Sequence, residues 1–174
     1  MNARIAVAAA AIACASVATS ASAVTFMDAA WAASACSAWN STPSLVNDLG
    51  GDKWAANDGG RGYKIIQMYR IKCGEGSKVE LEIQNKDGKA HCARGGEVKH
   101  ATLDPKVDYL MYATDEDWAC MGQGKFGCGA MGAMTTGKLK FKGPKMEAMG
   151  VMGPFDKFLL LTGKVAGDTS ACPK

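Results

Sequence analysis

The side chains that could do chemistry in this 174-residue chain are few and poorly arranged for it. His91 precedes Cys92, but neighbours in an extended strand point to opposite faces, so they form no thiolate–imidazole pair. Ser77 and His100 lie in no nucleophile motif. Asp115-Glu116-Asp117 reads as a helix start, where the backbone dipole favours acids without any catalytic duty. The glycine-rich passage around Gly122 to Gly132 contains no Gly-x-x-x-x-Gly-Lys-Ser/Thr run, so it is not a phosphate loop. Met146-x-x-Met149-x-x-Met152 places thioethers on one helical face, a soft set suited to Cu(I), with His91 and His100 well upstream. The expectation is a protein that is not an enzyme and has no cofactor and no metal site. An exported methionine-rich copper-binding protein stands as an alternative.

The cysteines point to bridges. Cys36, Cys73, Cys92, Cys120, Cys128 and Cys172 remain once Cys14 is assigned to the N-terminal segment. Six thiols in an exported domain suggest three disulfides, with fifteen pairings open; Cys120 and Cys128 could close a local loop around the glycine-rich turn. No Cys-x-x-Cys is present, so a thioredoxin-like role has little support. Export itself is read from Arg4, the small apolar run from Ile5 to Val17 and Ala21-Ser22-Ala23, which fits a cleavage site. Residues 1–23 are therefore expected to be a signal peptide and 24–174 a single domain of the periplasm or the secreted fraction. Lipidation at Cys14 is a variant with a poor preceding motif. Without Arg4 the charge is close to balance, 19 basic against 17 acidic residues, and the lysines are dispersed. Nucleic acid, which selects concentrated basic patches, is excluded as a partner.

These residues must be held by some frame, and the chain spells one out. Thr25 can cap a first helix with Asp28 inside it, and Met27, Trp31, Ala35 and Trp39 recur every four residues as one apolar stripe. Trp31 or Trp39 could line a pocket. Thr42-Pro43 opens a second helix, with Leu45, Val46 and Leu49 on its apolar face, and Gly50-Gly51 stops it. A loop with Trp54 as anchor follows. Ile65 to Ile71 reads as a strand. Val79, Leu81 and Ile83 then alternate with Glu80, Glu82 and Gln84, which predicts a strand with one dry and one wet face. Asn85-Lys86-Asp87-Gly88 turns the chain into a third strand up to Val98. A fourth strand spans Val107 to Ala113, and Thr114 with Asp117 caps a short helix carrying Trp118 and Met121. Leu139 and Phe141 alternate with lysines in a fifth strand. Helical segments bearing Met146, Met149 and Met152, then Phe155, Phe158 and Leu159, precede a polar tail from Gly163.

The order of two motifs within this frame resembles the sterol carrier protein-2 (SCP-2) family of lipid-binding domains. The family's Ser/Thr-Asp-x-Asp-aromatic helix start is matched by Thr114, Asp115, Asp117 and Trp118. Its Gly-Lys-Leu-Lys-aromatic-x-Gly strand is matched by Gly137 to Phe141 and Gly143, with Met146 and Met149 in the following helix. The likeness covers about residues 45–163 and is specific from about 108 to 152. It implies an α/β (α+β) domain, a five-stranded mainly antiparallel sheet covered by helices that enclose an apolar tunnel. Members bind sterols, fatty acyl chains and related lipids without transforming them. This chain departs from familiar members in its cysteines, its export-like start and its Trp-bearing first helix.

Non-catalytic binding, and transfer, of a sterol, hopanoid or fatty acyl chain is the resulting expectation, with transient membrane contact. Met121, Met131, Met134, Met149, Met152, Phe155, Phe158 and Leu159 are the expected cavity wall, because unbranched thioethers adapt to ligands of varied shape. Glycines 122, 124, 127, 129 and 132 would give a mobile rim. A disulfide-bridged interaction domain without ligand is the other alternative. A structure packed tight at the junction of the late helices and the sheet, with no void long enough for an acyl tail, would end the lipid reading.

Overall fold

The computed structural model describes residues 24–174; the expected signal peptide and Cys14 lie outside the described residues. Its frame is a five-stranded mixed sheet with helices on one face. The strands are β1 (Tyr63–Arg70), β2 (Val79–Lys86), β3 (Lys89–Glu97), β4 (Tyr109–Ala113) and β5 (Lys140–Lys142), in the order β3-β2-β1-β4-β5. Of the neighbouring pairs, β1 and β4 alone run parallel, with Ile66 opposite Tyr109 and Met68 opposite Met111. A parallel pair needs a crossover, and here the chain makes it through the β2–β3 hairpin and the loop to residue 108.

Helices α1 (Ala29–Asn40), α2 (Pro43–Asp48), α3 (Asp115–Gly122), α4 (Ala130–Thr135), α5 (Lys145–Met149) and α6 (Met152–Lys164) supply the cover. The first helix starts later than Thr25 suggests. Asp28 is its cap, accepting from the Trp31 amide at 2.7 Å, because a carboxylate satisfies a first-turn donor better than the distant hydroxyl. Its stripe of Met27, Trp31, Ala35 and Trp39 is buried as the spacing requires. The helix lies so close to β3 that a Cβ on Gly95 would run into the Ala32 carbonyl. Trp39 Nε1 donates to the Ala90 carbonyl at 2.8 Å, and a Cys36–Cys92 disulfide fixes the same contact.

Two more disulfides, Cys73–Cys172 and Cys120–Cys128, complete the set. The polar tail is thereby pinned to the end of β1, where Arg70 donates to the Ala171 carbonyl at 2.7 Å and holds Asp115 at 2.6 Å. The Arg70 guanidinium holds the Asp115 carboxyl below its usual range, against the opposing effect of burial. Three disulfides suit an oxidising compartment. No described helix is long and apolar enough to cross a membrane.

Two local expectations are corrected. The β2 face opposite the helices is wet only in part: Glu82 and Gln84 are half-buried, but Glu80, with Gln67 beside it, is fully buried under the segment around His100. Glu80 accepts from Gln67 (3.0 Å), the His100 amide (3.1 Å) and Arg94, and lies 2.9 Å from His100 Nδ1. Burial pushes its carboxyl up, but these hydrogen bonds outweigh that and leave it below the ordinary glutamate value. The glycine-rich passage is likewise no bare rim, since α4 forms within it. A Cβ on Gly122 would sit 2.6 Å from the Gly163 amide, so this glycine is there to let α3 and α6 touch.

Candidate functional site: an aromatic-walled seam with a buried ion pair

Between the sheet and the helices runs an apolar seam. Ile66, Tyr109, Met111 and Phe141 come from the strands. Trp39, Leu49, Trp54 and Ala148 close it from α1, the α2 end, the turn at Trp54–Ala56 and α5. Val151, Pro154, Phe155 and Phe158 close it from the α6 end. Six of these rings form a closed circuit. Trp39 meets Trp54 (6.2 Å between centroids), Trp54 stacks on Tyr109 (5.7 Å) and Tyr109 meets Phe141 (5.4 Å). Phe141 then meets Phe155 (5.9 Å), Phe155 meets Phe158 (6.4 Å), and Phe158 returns to Trp39 (5.8 Å).

The seam is closed. Its cavity is about 30 Å³, room for a water or two and far below the 300–1,000 Å³ typical of a ligand pocket. The expected hollow is therefore not present: the late helices meet the sheet in nearly solid contact, with no void long enough for an acyl tail, and a lipid reading now requires a second, opened state.

At one end of the seam lies a polar cluster. Lys64, alternating with Ile66 on the helix-covered face of β1, is wholly buried. Its ammonium donates to Glu147 Oε1 (2.9 Å) and Oε2 (2.8 Å) and to the Trp54 carbonyl (3.1 Å). It lies 4.4 Å from the Trp54 ring centre and 5.3 Å from that of Tyr109. The Tyr109 hydroxyl donates to Glu147 and accepts from Trp54 Nε1 at 2.9 Å. Burial pushes the Lys64 ammonium below the ordinary lysine range, with Glu147 opposing that shift. Burial and then the Glu147 carboxylate push the Tyr109 phenol far above its usual range, which keeps it a proton donor.

The residues expected as a single wall fall into three places. Phe155 and Phe158 line the seam. Met131, Met134 and Met149 line an outer groove of about 500 Å³ beside β5, with Met131 and Met149 half exposed. Met121 and Leu159 are buried in the core, and Met152 packs against it from the side. The thioethers of Met146, Met149 and Met152 do not share one helical face, because α5 ends at Met149 and α6 begins at Met152 after a break at Gly150-Val151. Among the described residues no group of three or more His, Cys, Asp or Glu could hold a metal ion, and Cys36, Cys73, Cys92, Cys120, Cys128 and Cys172 are all in disulfides.

Sequence reasoning missed Lys64, Tyr109, Phe141 and Glu147. The signal for Lys64 was present: a lysine sharing strand parity with Ile66 and Met68 must face the same core. Glu147 carried no such signal, since its partner is 83 residues away.

A mixed sheet roofed by helices around an aromatic seam defines an α+β domain built to wall an apolar interior. Residues 53–156 match the model of the SCP-2 sterol transfer family, and the chain belongs to that family. Among solved structures it is similar to a crystal structure of sterol carrier protein 2, at 17% identity and a TM-score of 0.48, over 80% of this chain and 98% of that one. It is similar to a conserved hypothetical protein of Thermus thermophilus at 17% identity and a TM-score of 0.47, covering 86% and 97%. Sterol carrier protein 2 of Yarrowia lipolytica, in its apo form, aligns at 19% identity and a TM-score of 0.39, covering 72% and 88%. No curated protein sequence matches the chain.

Proposed function

We propose that this protein is a non-catalytic carrier that takes up an apolar lipid, a sterol, hopanoid or fatty acyl chain, between its sheet and its late helices, outside the cytoplasm. Membership of the SCP-2 sterol transfer family supports lipid binding and transfer in general terms. The observation that carries the reading for this chain is the closed circuit of six aromatic rings around a seam with almost no polar lining.

Uptake requires the seam to widen about tenfold in volume, to the lower bound of a ligand pocket. The α5–α6 corner is where it gives. Helix α5 has five residues, and only Ala148 among them is fully buried. A second groove of about 400 Å³ outside that corner shares Trp54, Val151 and Pro154 with the seam. Lipid would select a minor open state, and its apolar area, at about 25 cal/mol per Å² removed from water, would offset the opening. Half-exposed Met131 and Met149, with Lys140 and Lys145 lining the same groove, give the protein a face suited to transient membrane contact.

The closed seam favours a second reading, a disulfide-bridged domain that holds no ligand. One experiment separates them. The purified protein is titrated with a fluorescent sterol and a fluorescent fatty acid, and saturable transfer of either probe to an apolar environment is expected. Phe158→Asp is expected to abolish it, with far-UV circular dichroism reporting the fold. No saturable uptake of either probe would leave the ligand-free domain.

A further inference from the structure

We propose that Lys64 is the anchor for a carboxylate lipid head, and that Glu147 fills that anchor in the closed protein as an internal carboxylate which the incoming head displaces. The inference rests on the carrier reading and narrows its ligand to a long-chain carboxylic acid over a neutral-headed lipid.

The cradle is complete without Glu147's helix. Lys64 comes from β1, Tyr109 from β4 and Trp54 from the turn bridging α2 to the sheet, all buried. Together they present an ammonium and a phenolic hydroxyl to one carboxylate, with Trp54 Nε1 orienting the hydroxyl. A carboxylate has lone pairs enough to accept from both donors. Among the described residues Lys64 has no other carboxylate partner, its third contact being the Trp54 carbonyl.

Glu147, by contrast, comes from the most weakly embedded helix around the seam. Its side chain keeps 18% of its exposure, and its neighbours Met146 and Met149 face outward. A buried lysine is costly unless paired, so a neutral head that moved Glu147 aside would strand the ammonium. A carboxylate head would replace like with like. Position agrees with chemistry: Glu147 lines the groove of about 400 Å³ outside the α5–α6 corner, while Trp54, Val151 and Pro154 line both that groove and the seam. A tail threading between those residues into the seam brings its head to the place that Glu147 holds. The displaced Glu147 enters the groove, which Lys53 also lines.

The test measures affinity of the whole protein for a long-chain fatty acid and for its methyl ester, by calorimetry, with melting temperature as a second readout. The wild type is expected to prefer the acid by about tenfold or more, the scale set by a buried charge pair. Glu147→Gln removes the internal competitor. It is expected to tighten acid binding further and to gain more in melting temperature from the acid than the wild type does. The doubly neutral Lys64→Met/Glu147→Gln strands no charge, so it keeps the comparison should the single variant fail to fold; in it, acid and ester are expected to bind alike. Acetate is expected to protect none of them, and protection equal to that of the long-chain acid would make this a small-anion site and overturn the assignment. Equal affinity for acid and ester in the wild type, unchanged in the variants, would overturn it too while leaving the carrier reading standing. Failure of acid, ester and sterol alike to bind would remove both.

Discussion

The two faces of the sheet each bury one half of an ion pair, and they do so in opposite ways. On the face away from the seam, Glu80 belongs to a central strand and is wholly buried. Its donors are Gln67, Arg94, His100 and backbone amides, held by β1, β3 and the segment that follows β3. Glu80, Gln67 and Arg94 all belong to strands and cannot leave that cluster without disturbing the sheet. On the helix face the rigid partner is the cation, Lys64, and the carboxylate arrives on five residues of surface helix. A buried ion pair is thus only as fixed as its less embedded half. Glu80 is a clamp, whereas Glu147 is a latch.

That contrast can be broken in several places. Glu80→Gln should have the largest effect, a loss of about 3–5 kcal/mol, because it leaves Arg94 and His100 around a neutral amide. The denaturation midpoint measures it, and lipid uptake by the folded fraction is expected to be intact. Glu147→Gln should cost less, about 1–3 kcal/mol, because Lys64, whose ammonium burial already disfavours, can release its proton when unpaired, whereas Arg94 cannot. Equal losses for the two variants would erase the distinction between clamp and latch.

Acid gives a third handle. The carboxyls of Asp115 and Glu80 both titrate below their ordinary values in the folded protein. A depressed folded value means that the stabilisation is present above the unfolded value, about 3.9 for aspartate, and is lost as pH falls through the folded one. Stability should therefore decline below about pH 4, and Asp115→Asn should make that decline shallower in acid titrations of the melting temperature. The smallest effect on stability belongs to the outer groove. Met149→Asp is expected to stay within about 0.5 kcal/mol of wild type, because Met149 is half exposed. Its readout is transfer of a probe between vesicles, which should slow if the groove touches membrane.

Much of the fold was legible in the sequence, because local pattern carries it. The stripe of Met27, Trp31, Ala35 and Trp39 marked a buried helix face, and the alternation of Val79, Leu81 and Ile83 marked a strand with one core face. The Thr114 cap is present, accepting from the Asp117 amide at 3.1 Å. The two motifs around it carried the family resemblance. The candidate wall was legible only in part: Phe155 and Phe158 line the seam, whereas Met131, Met134 and Met149 lie across β5 from it. Hydrophobicity says that a side chain seeks cover; it does not say which of two neighbouring hollows will supply it.

Spacings within single elements were enough to predict a meander, a capped short helix and late apolar helices, and the family resemblance supplied the α+β class. Three features had to wait for the folded molecule: that Glu80 is dry, that six rings from five parts of the chain meet in a circuit, and that Lys64 finds Glu147. Those contacts join residues up to 119 positions apart, Trp39 to Phe158 being the longest in the circuit. Packing alone sets such distances, because no local rule links side chains so widely separated along the backbone.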